Sequence, residues 1–69
     1  MFRILFIDIY DDNKILLTVQ NLNDSEVIRV LVKRKYLEKA DRFKFSNKLI
    51  VFDCIIKSNL ETYKAVDFY

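Results

Sequence analysis

The chain contains neither glycine nor proline among its 69 residues. Proteins use these two residues for most tight turns, because glycine tolerates positive φ and proline fixes its own φ. Here the turns must be made by Asp, Asn and Ser, whose side chains bond the neighbouring main chain and which tolerate left-handed backbone. Such residues cluster in four places, which divide the chain into its elements: residues 11–14, 21–25, 46–48 and 58–61.

Most segments between these turns have the composition of β-strands. They are rich in β-branched and aromatic residues, which fit the pleated, half-buried surface of a sheet. In the last segment Tyr63, Ala65 and Asp67 alternate with residues that point the other way. The composition predicts five strands: residues 2–10, 15–20, 26–33, 49–57 and 62–68.

The third of these segments is ambiguous. Ser25 could cap a helix that runs to about residue 40. Three valines in the six positions 27–32 disfavour that helix, because β-branched side chains lose rotamer freedom in it. We therefore interpret residues 26–33 as a strand.

Residues 34–44 have a helical pattern. Tyr36, Leu37, Ala40 and Phe43 lie on one side of a helix, with charged residues between them. This spacing predicts a short amphipathic helix of about two turns. The order of elements is therefore β-β-β-α-β-β, in a single domain that covers residues 1–69.

This order resembles the OB-fold, a five-stranded Greek-key barrel. The second half carries the resemblance, where the predicted helix leads into Phe45-Ser46-Asn47-Lys48-Leu49-Ile50-Val51-Phe52 and the chain ends on Tyr63-Lys64-Ala65-Val66-Asp67-Phe68. The resemblance implies a small barrel with its helix between the third and fourth strands, and a nucleic-acid-binding face on the second and third strands. OB domains usually bend the first strand with a glycine or a bulge, and this chain has no glycine. A β-grasp ββαββ fold and an SH3-like barrel are the alternatives.

The residue types that are missing argue against an enzyme. Without histidine the chain lacks the commonest general base and the commonest metal ligand. Without glycine it cannot form a phosphate loop of the Walker or Rossmann kind. We expect a non-catalytic binding module with no cofactor, no metal and no small-molecule substrate.

Cys54 is the single cysteine, so the chain cannot form an internal disulfide. It lies in an apolar segment, where we expect a buried and unreactive thiol. The first residues do not have the pattern of a signal peptide, and the apolar runs are too short for a membrane helix. We expect a cytoplasmic protein, and the many residues with A/T-rich codons are typical of a low-GC genome, a phage or a mobile element.

Positive charge is concentrated in residues 33–44, which contain six basic residues and only two acidic ones, Glu38 and Asp41. The net charge of the whole chain is only +2. Ten residues are Phe or Tyr, more than a core of this size needs. Cations beside exposed rings are typical of proteins that hold single-stranded DNA or RNA. A solvated helix face, with tyrosines at the core edge, would give the same pattern. The candidate nucleic-acid-binding residues are Arg29, Lys33, Arg34, Lys35, Tyr36, Lys39, Arg42, Lys44, Tyr10 and Tyr63, with Thr18 and Gln20 as polar neighbours on the second strand.

The first predicted strand is apolar on both faces, which supports a second hypothesis. Arg3, Leu5, Ile7 and Ile9 would point one way, and Phe2, Ile4, Phe6, Asp8 and Tyr10 the other. Exposed apolar surface on a small domain often marks a protein partner. The alternative function is therefore a protein-interaction or homo-oligomerising module, such as a phage or mobile-element factor that acts on a host protein.

Overall fold

The computed structural model of this chain describes residues 1–59 and 61–69. Strands account for most of the regular structure in this part of the chain, and a short 3₁₀ helix, Arg34–Tyr36, leads into the α-helix. The elements are β1 (Phe2–Ile9), β2 (Lys14–Asn21), β3 (Val27–Lys33), α1 (Leu37–Phe45), β4 (Leu49–Ile50), β5 (Phe52–Asp53), β6 (Ile56–Lys57), β7 (Thr62–Lys64) and β8 (Asp67–Phe68).

Six strands form one sheet in the order β4-β1-β2-β3-β7-β6, and β5 pairs with β8 beside it. The first three strands are an antiparallel meander, and β3 runs parallel to β7. Both edge strands, β4 and β6, come from residues 49–57, so one short stretch of chain joins the two edges and the sheet curls into a half-barrel. The predicted mainly β fold, with a short helix after the third strand, is confirmed. The strand interpreted at residues 26–33 is present as β3, Val27–Lys33.

The two long strands predicted at residues 49–57 and 62–68 are interrupted, which corrects the prediction. The first is divided into β4, β5 and β6, and the second into β7 and β8. Cys54 lies between β5 and β6 at a φ of 52° and is exposed, so the expectation of a buried thiol was wrong. The left-handed bend at Cys54 ends one strand before the next begins. At the turn predicted for residues 58–61, Ser58 and Asn59 donate their backbone N–H groups to the Thr62 carbonyl, and Leu60 lies outside the described residues.

A β-bulge interrupts the pairing of β1 with β2. Ile4 pairs with Val19 but Phe6 pairs with Thr18, so Leu5 is the extra residue. Such a bulge bends a strand and increases its twist without any need for glycine.

The bulge also changes which side chains of β1 face the core. Beyond it, Ile7 pairs with the buried Leu17 and therefore points inward, whereas Phe6 points outward. The prediction had placed Phe6 on the face of Ile4 and Ile7 on the opposite face. It was wrong because one inserted residue reverses the alternation of every residue after it.

The core lies on the inner face of the curled sheet, and α1 covers it. On α1, Ala40 is fully buried, and Leu37 and Phe43 pack against the same cluster. The rings of Tyr36 and Phe43 meet Phe68 edge-on, with centroids 5.9 and 5.8 Å apart. The buried cluster comprises Ile4, Ile15, Leu17, Val19, Val30, Val32, Ala40, Ile50 and Phe68.

The turns are made without glycine, as the composition requires. After α1, Asn47 has a φ of 55°. The Lys48 N–H donates to the Phe43 carbonyl at 2.9 Å, and the Asn47 N–H donates to the Lys44 carbonyl at 3.2 Å. These two bonds form a Schellman motif in which asparagine replaces the usual glycine. In the other turns a side-chain oxygen accepts the N–H group two residues later, as at Asp11, Asn21, Asp24 and Asn59.

Candidate nucleic-acid interface

The outer face of the six-stranded sheet points away from the core, and the strand register sets which residues lie side by side on it. Phe6 of β1 lies opposite Thr18 of β2, and Thr18 lies opposite Arg29 of β3. We call these three residues the outer row. Neighbouring strands are about 4.8 Å apart, so a ring, a hydroxyl and a guanidinium occupy about 10 Å of surface. Phe6 is 63% exposed.

Further along the same strands the outer face becomes basic. Lys14 of β2 lies opposite Lys33 of β3, four residues beyond Arg29. Along a strand, four residues span about 13 Å. This pair lines a groove of about 600 Å³ together with Asp12, Asn13, Arg34 and Lys35. We call it the basic groove, which lies where the β1–β2 turn meets the start of the helix.

A second depression, of about 330 Å³, lies between β3, β6 and β7. Its floor is apolar, because Leu31, Ile56 and Val66 line it. Lys64 of β7 lies between Leu31 and Ile56, and Lys14 and Lys33 line the depression as they line the basic groove. We call it the lysine-rimmed cleft: Lys14, Leu31, Val32, Lys33, Cys54, Ile56, Lys64, Ala65 and Val66.

Arg29 is also part of an exposed ion pair. Its guanidinium lies 3.2 Å from the Glu61 carboxylate. Ion pairs in solvent contribute little to stability, typically below about 1 kcal/mol. The guanidinium can therefore exchange Glu61 for a phosphate at little cost.

Lys39 differs from the other predicted cations. Its Nζ lies 2.9 Å from Asp67 Oδ1, and the two side chains are only 23% and 21% exposed. The same ammonium lies 4.7 Å from the ring centroid of Phe68 and 4.9 Å from that of Tyr69. The hydrogen bond from Lys39 holds the pKa of the Asp67 carboxyl below its usual value. Lys39 thus links α1 to β8, away from the outer face.

The other predicted residues are divided between two sides of the molecule. The outer face or the basic groove contains Arg29, Lys33, Arg34 and Lys35. Tyr10 is exposed in the adjoining turn, where its backbone N–H donates to the Lys14 carbonyl. Tyr36 and Tyr63 are partly buried against the core. Arg42 and Lys44 are exposed on α1, which lies on the core side of the sheet.

Three residues of the outer face were missing from the sequence-based set. Phe6 was missed because the bulge at Leu5 was not foreseen, although a strand that is apolar on both faces is itself a sign of a bulge. Lys14 was assigned to a turn. Lys64 joins the site only through the parallel pairing of β7 with β3, and nothing in the local sequence indicates that pairing.

Within residues 1–59 and 61–69, no three Cys, Asp or Glu side chains are close enough together to hold a metal ion. The same residues include no helix with the length and apolar character that a membrane crossing requires.

Comparison of the chain with models of protein families, with curated proteins and with solved structures found no match. Its function is therefore inferred from the chemistry of its own surface.

Proposed function

We propose that the chain is an OB-like barrel that binds single-stranded DNA or RNA on its outer face. The observation that carries this proposal is Phe6, which is 63% exposed and lies in one row with Thr18 and Arg29. An exposed ring offers a stacking surface to any base, and an adjacent guanidinium can bind the flanking phosphate.

The basic groove supplies further phosphate contacts. Lys14, Lys33, Arg34 and Lys35 lie at one end of the outer face, about 13 Å from Arg29 along β3. A nucleic-acid strand that stacks on Phe6 and extends toward the β1–β2 turn would meet Arg29 at one end and the cations of the basic groove at the other. Lys39 is not part of this set, because Asp67 already neutralises it.

The fold supports the same proposal. The helix follows the third strand, residues 49–57 join the two edges of the sheet, and the bulge at Leu5 bends β1. In OB-folds the face of the second and third strands, with the loops beside it, binds oligonucleotides. In this chain Thr18 and Lys14 belong to the second strand and Arg29 and Lys33 to the third, and Phe6 lies beside Thr18 on the first.

The first experiment is fluorescence anisotropy with labelled oligo-dT and oligo-U in a salt series that starts at about 50 mM, where electrostatic affinity is high. Phe6→Ala should weaken binding by about 1–3 kcal/mol, the usual contribution of one stacked base. Phe45→Ala is the matched control, since Phe45 is 92% exposed at the end of α1 and should leave affinity unchanged. Lack of binding at the lowest salt, or equal losses in both variants, would contradict the proposal.

The second experiment separates the two groups of cations. Affinity falls as salt is raised, so the slope of log K against log salt is negative. The double variant Lys14→Gln/Lys33→Gln should make this slope shallower by about 1.4, which is about 0.7 for each lost phosphate contact with single-stranded nucleic acid. Arg42→Gln/Lys44→Gln removes the same charge from α1 and should change that slope little. The opposite result would place the interface on the helix.

A protein-interaction role is the second candidate, because many large apolar side chains are exposed, including Phe6, Ile9, Tyr10, Phe45, Ile56 and Val66. A homo-oligomer would bury some of this surface. Light scattering after size exclusion tests this role. A monomer mass at every concentration up to about 200 μM would exclude a stable homo-oligomer, because a dissociation constant above that value means an association free energy weaker than roughly 5 kcal/mol.

A further inference from the structure

We infer that the lysine-rimmed cleft is a docking site for an acidic peptide segment of a partner protein, in which an apolar side chain is flanked by carboxylates. This ligand belongs to a different class from the proposed nucleic acid. The cleft does not include the outer row, although Lys14 and Lys33 line both the cleft and the basic groove.

The floor of the cleft favours an apolar side chain over a nucleobase. Leu31, Ile56 and Val66 are aliphatic, and no aromatic ring is among the described residues that line the cleft. Bases stack on flat rings, whereas aliphatic surface gains most by burying another apolar group. Ile56 is 63% exposed and Val66 52%, so both have apolar surface left to bury. The volume of about 330 Å³ is at the small end of the range for ligand sites.

The rim of the cleft selects the charge of the ligand. Lys14 and Lys33 line the cleft together with the apolar floor, Lys64 lies between Leu31 and Ile56, and no carboxylate is found among the lining residues that the structure describes. The two ion pairs identified in residues 1–59 and 61–69 involve other cations, Arg29 and Lys39. The rim therefore has three positive charges available to a partner. Charge complementarity favours an anionic ligand and disfavours a basic one.

The test uses a fluorescein-labelled octapeptide with a central Leu-Phe pair flanked on each side by three Asp or Glu residues. We expect saturable binding that weakens as salt is raised. One control peptide replaces the central pair with Ala-Ala, and another replaces the acidic residues with Ser and Gln. Because the cleft requires both features, each control should bind at least tenfold more weakly.

Protein variants locate the peptide. Val66→Glu places a carboxylate in the apolar floor and should weaken peptide binding more than tenfold, whereas Val51→Glu, which adds the same charge at another exposed valine, should change it less than twofold. Lys64→Gln leaves the floor intact and should weaken binding about threefold, as expected for one partly solvated ion pair. Circular dichroism confirms that each variant is folded.

Phe6→Ala distinguishes this inference from the proposed function, because it should weaken oligonucleotide binding and leave peptide binding unchanged. The inference is overturned if the acidic octapeptide does not bind, if the Ala-Ala peptide binds equally well, or if Val66→Glu and Val51→Glu have equal effects. Loss of oligonucleotide binding in Val66→Glu without any peptide binding to the unmodified protein would identify the cleft as a nucleotide site and would also overturn it.

Discussion

At position 39 a lysine points into a group of aromatic rings instead of into solvent. Its ammonium is held by Asp67 at 2.9 Å and lies over the rings of Phe68 and Tyr69. The cation, the carboxylate and the rings satisfy one another, so a charge in a partly buried position stabilises the contact between α1 and β8. The sequence could not indicate this role, because Lys39 and Asp67 are far apart along the chain and the amphipathic pattern places every lysine of the helix in solvent.

Removing the Lys39 charge should make the free energy of unfolding less dependent on pH in the acid range. The pKa of Asp67 is lowered in the folded state, so its contribution is complete above the ordinary carboxyl pKa of about 4 and is lost as pH falls through the lower folded value. Lys39→Met keeps the apolar stem and should cost about 1–2 kcal/mol at pH 7. The gap in unfolding free energy between the variant and the unmodified protein should then narrow as the pH falls below about 4.

Urea unfolding at pH 7 and pH 3, followed by circular dichroism, measures this gap. Lys44→Met is the control, since Lys44 is exposed on the same helix and should give a small effect at both pH values. A gap that stays constant from pH 7 to pH 3 would contradict the assigned role of the ion pair.

Among the elements, β1 shows how one inserted residue changes the candidate site. Strand composition predicted the position of β1 well, but a simple alternation of two faces could not place its side chains. The bulge at Leu5 turns Phe6 outward and Ile7 inward, and this single change provides the aromatic member of the outer row. The helix and the first three strands have strong periodic patterns and were predicted, whereas the breaks in residues 49–57 depend on pairing with distant strands.

Two substitutions test the orientation of β1. Phe6→Thr should cost less than about 1 kcal/mol, because Phe6 is mostly exposed and threonine is a good strand former. Ile7→Thr should cost about 2–3 kcal/mol, since it leaves a small cavity and a hydroxyl against the core. Thermal or urea unfolding of both variants measures the difference, and the reverse order would show that β1 alternates without a bulge.

On the scale of the whole molecule, the core is small and depends on residues near the end of the chain. Phe68 is the largest of the fully buried side chains, and the rings of Tyr36, Phe43 and Phe52 pack around it. It therefore holds together α1, β5 and β8. The sequence indicated that residue 68 was apolar and in a strand, but its central position follows only from the way in which residues 49–69 close the half-barrel.

Phe68→Ala should leave the chain largely unfolded at 25 °C. Truncation of a buried phenylalanine costs about 3–5 kcal/mol, and a core in a domain of this size rarely supplies more than about 3–5 kcal/mol. Phe45→Ala is the control at the surface and should unfold within about 0.5 kcal/mol of the unmodified protein. A cooperative thermal transition in Phe68→Ala near that of the unmodified protein would contradict this account of the core.

The exposed cysteine has a practical consequence for measuring these interactions. Cys54 is the single thiol of the chain and lies in the wall of the lysine-rimmed cleft, so one fluorophore can be attached there without any substitution. A hydrogen bond with Asp53 and the negative charge of that carboxylate raise the pKa of the thiol, which makes the reactive thiolate scarcer at neutral pH. Coupling to a maleimide dye should therefore be faster in mildly alkaline buffer. A dye at this position would report occupation of the cleft through a change in its emission.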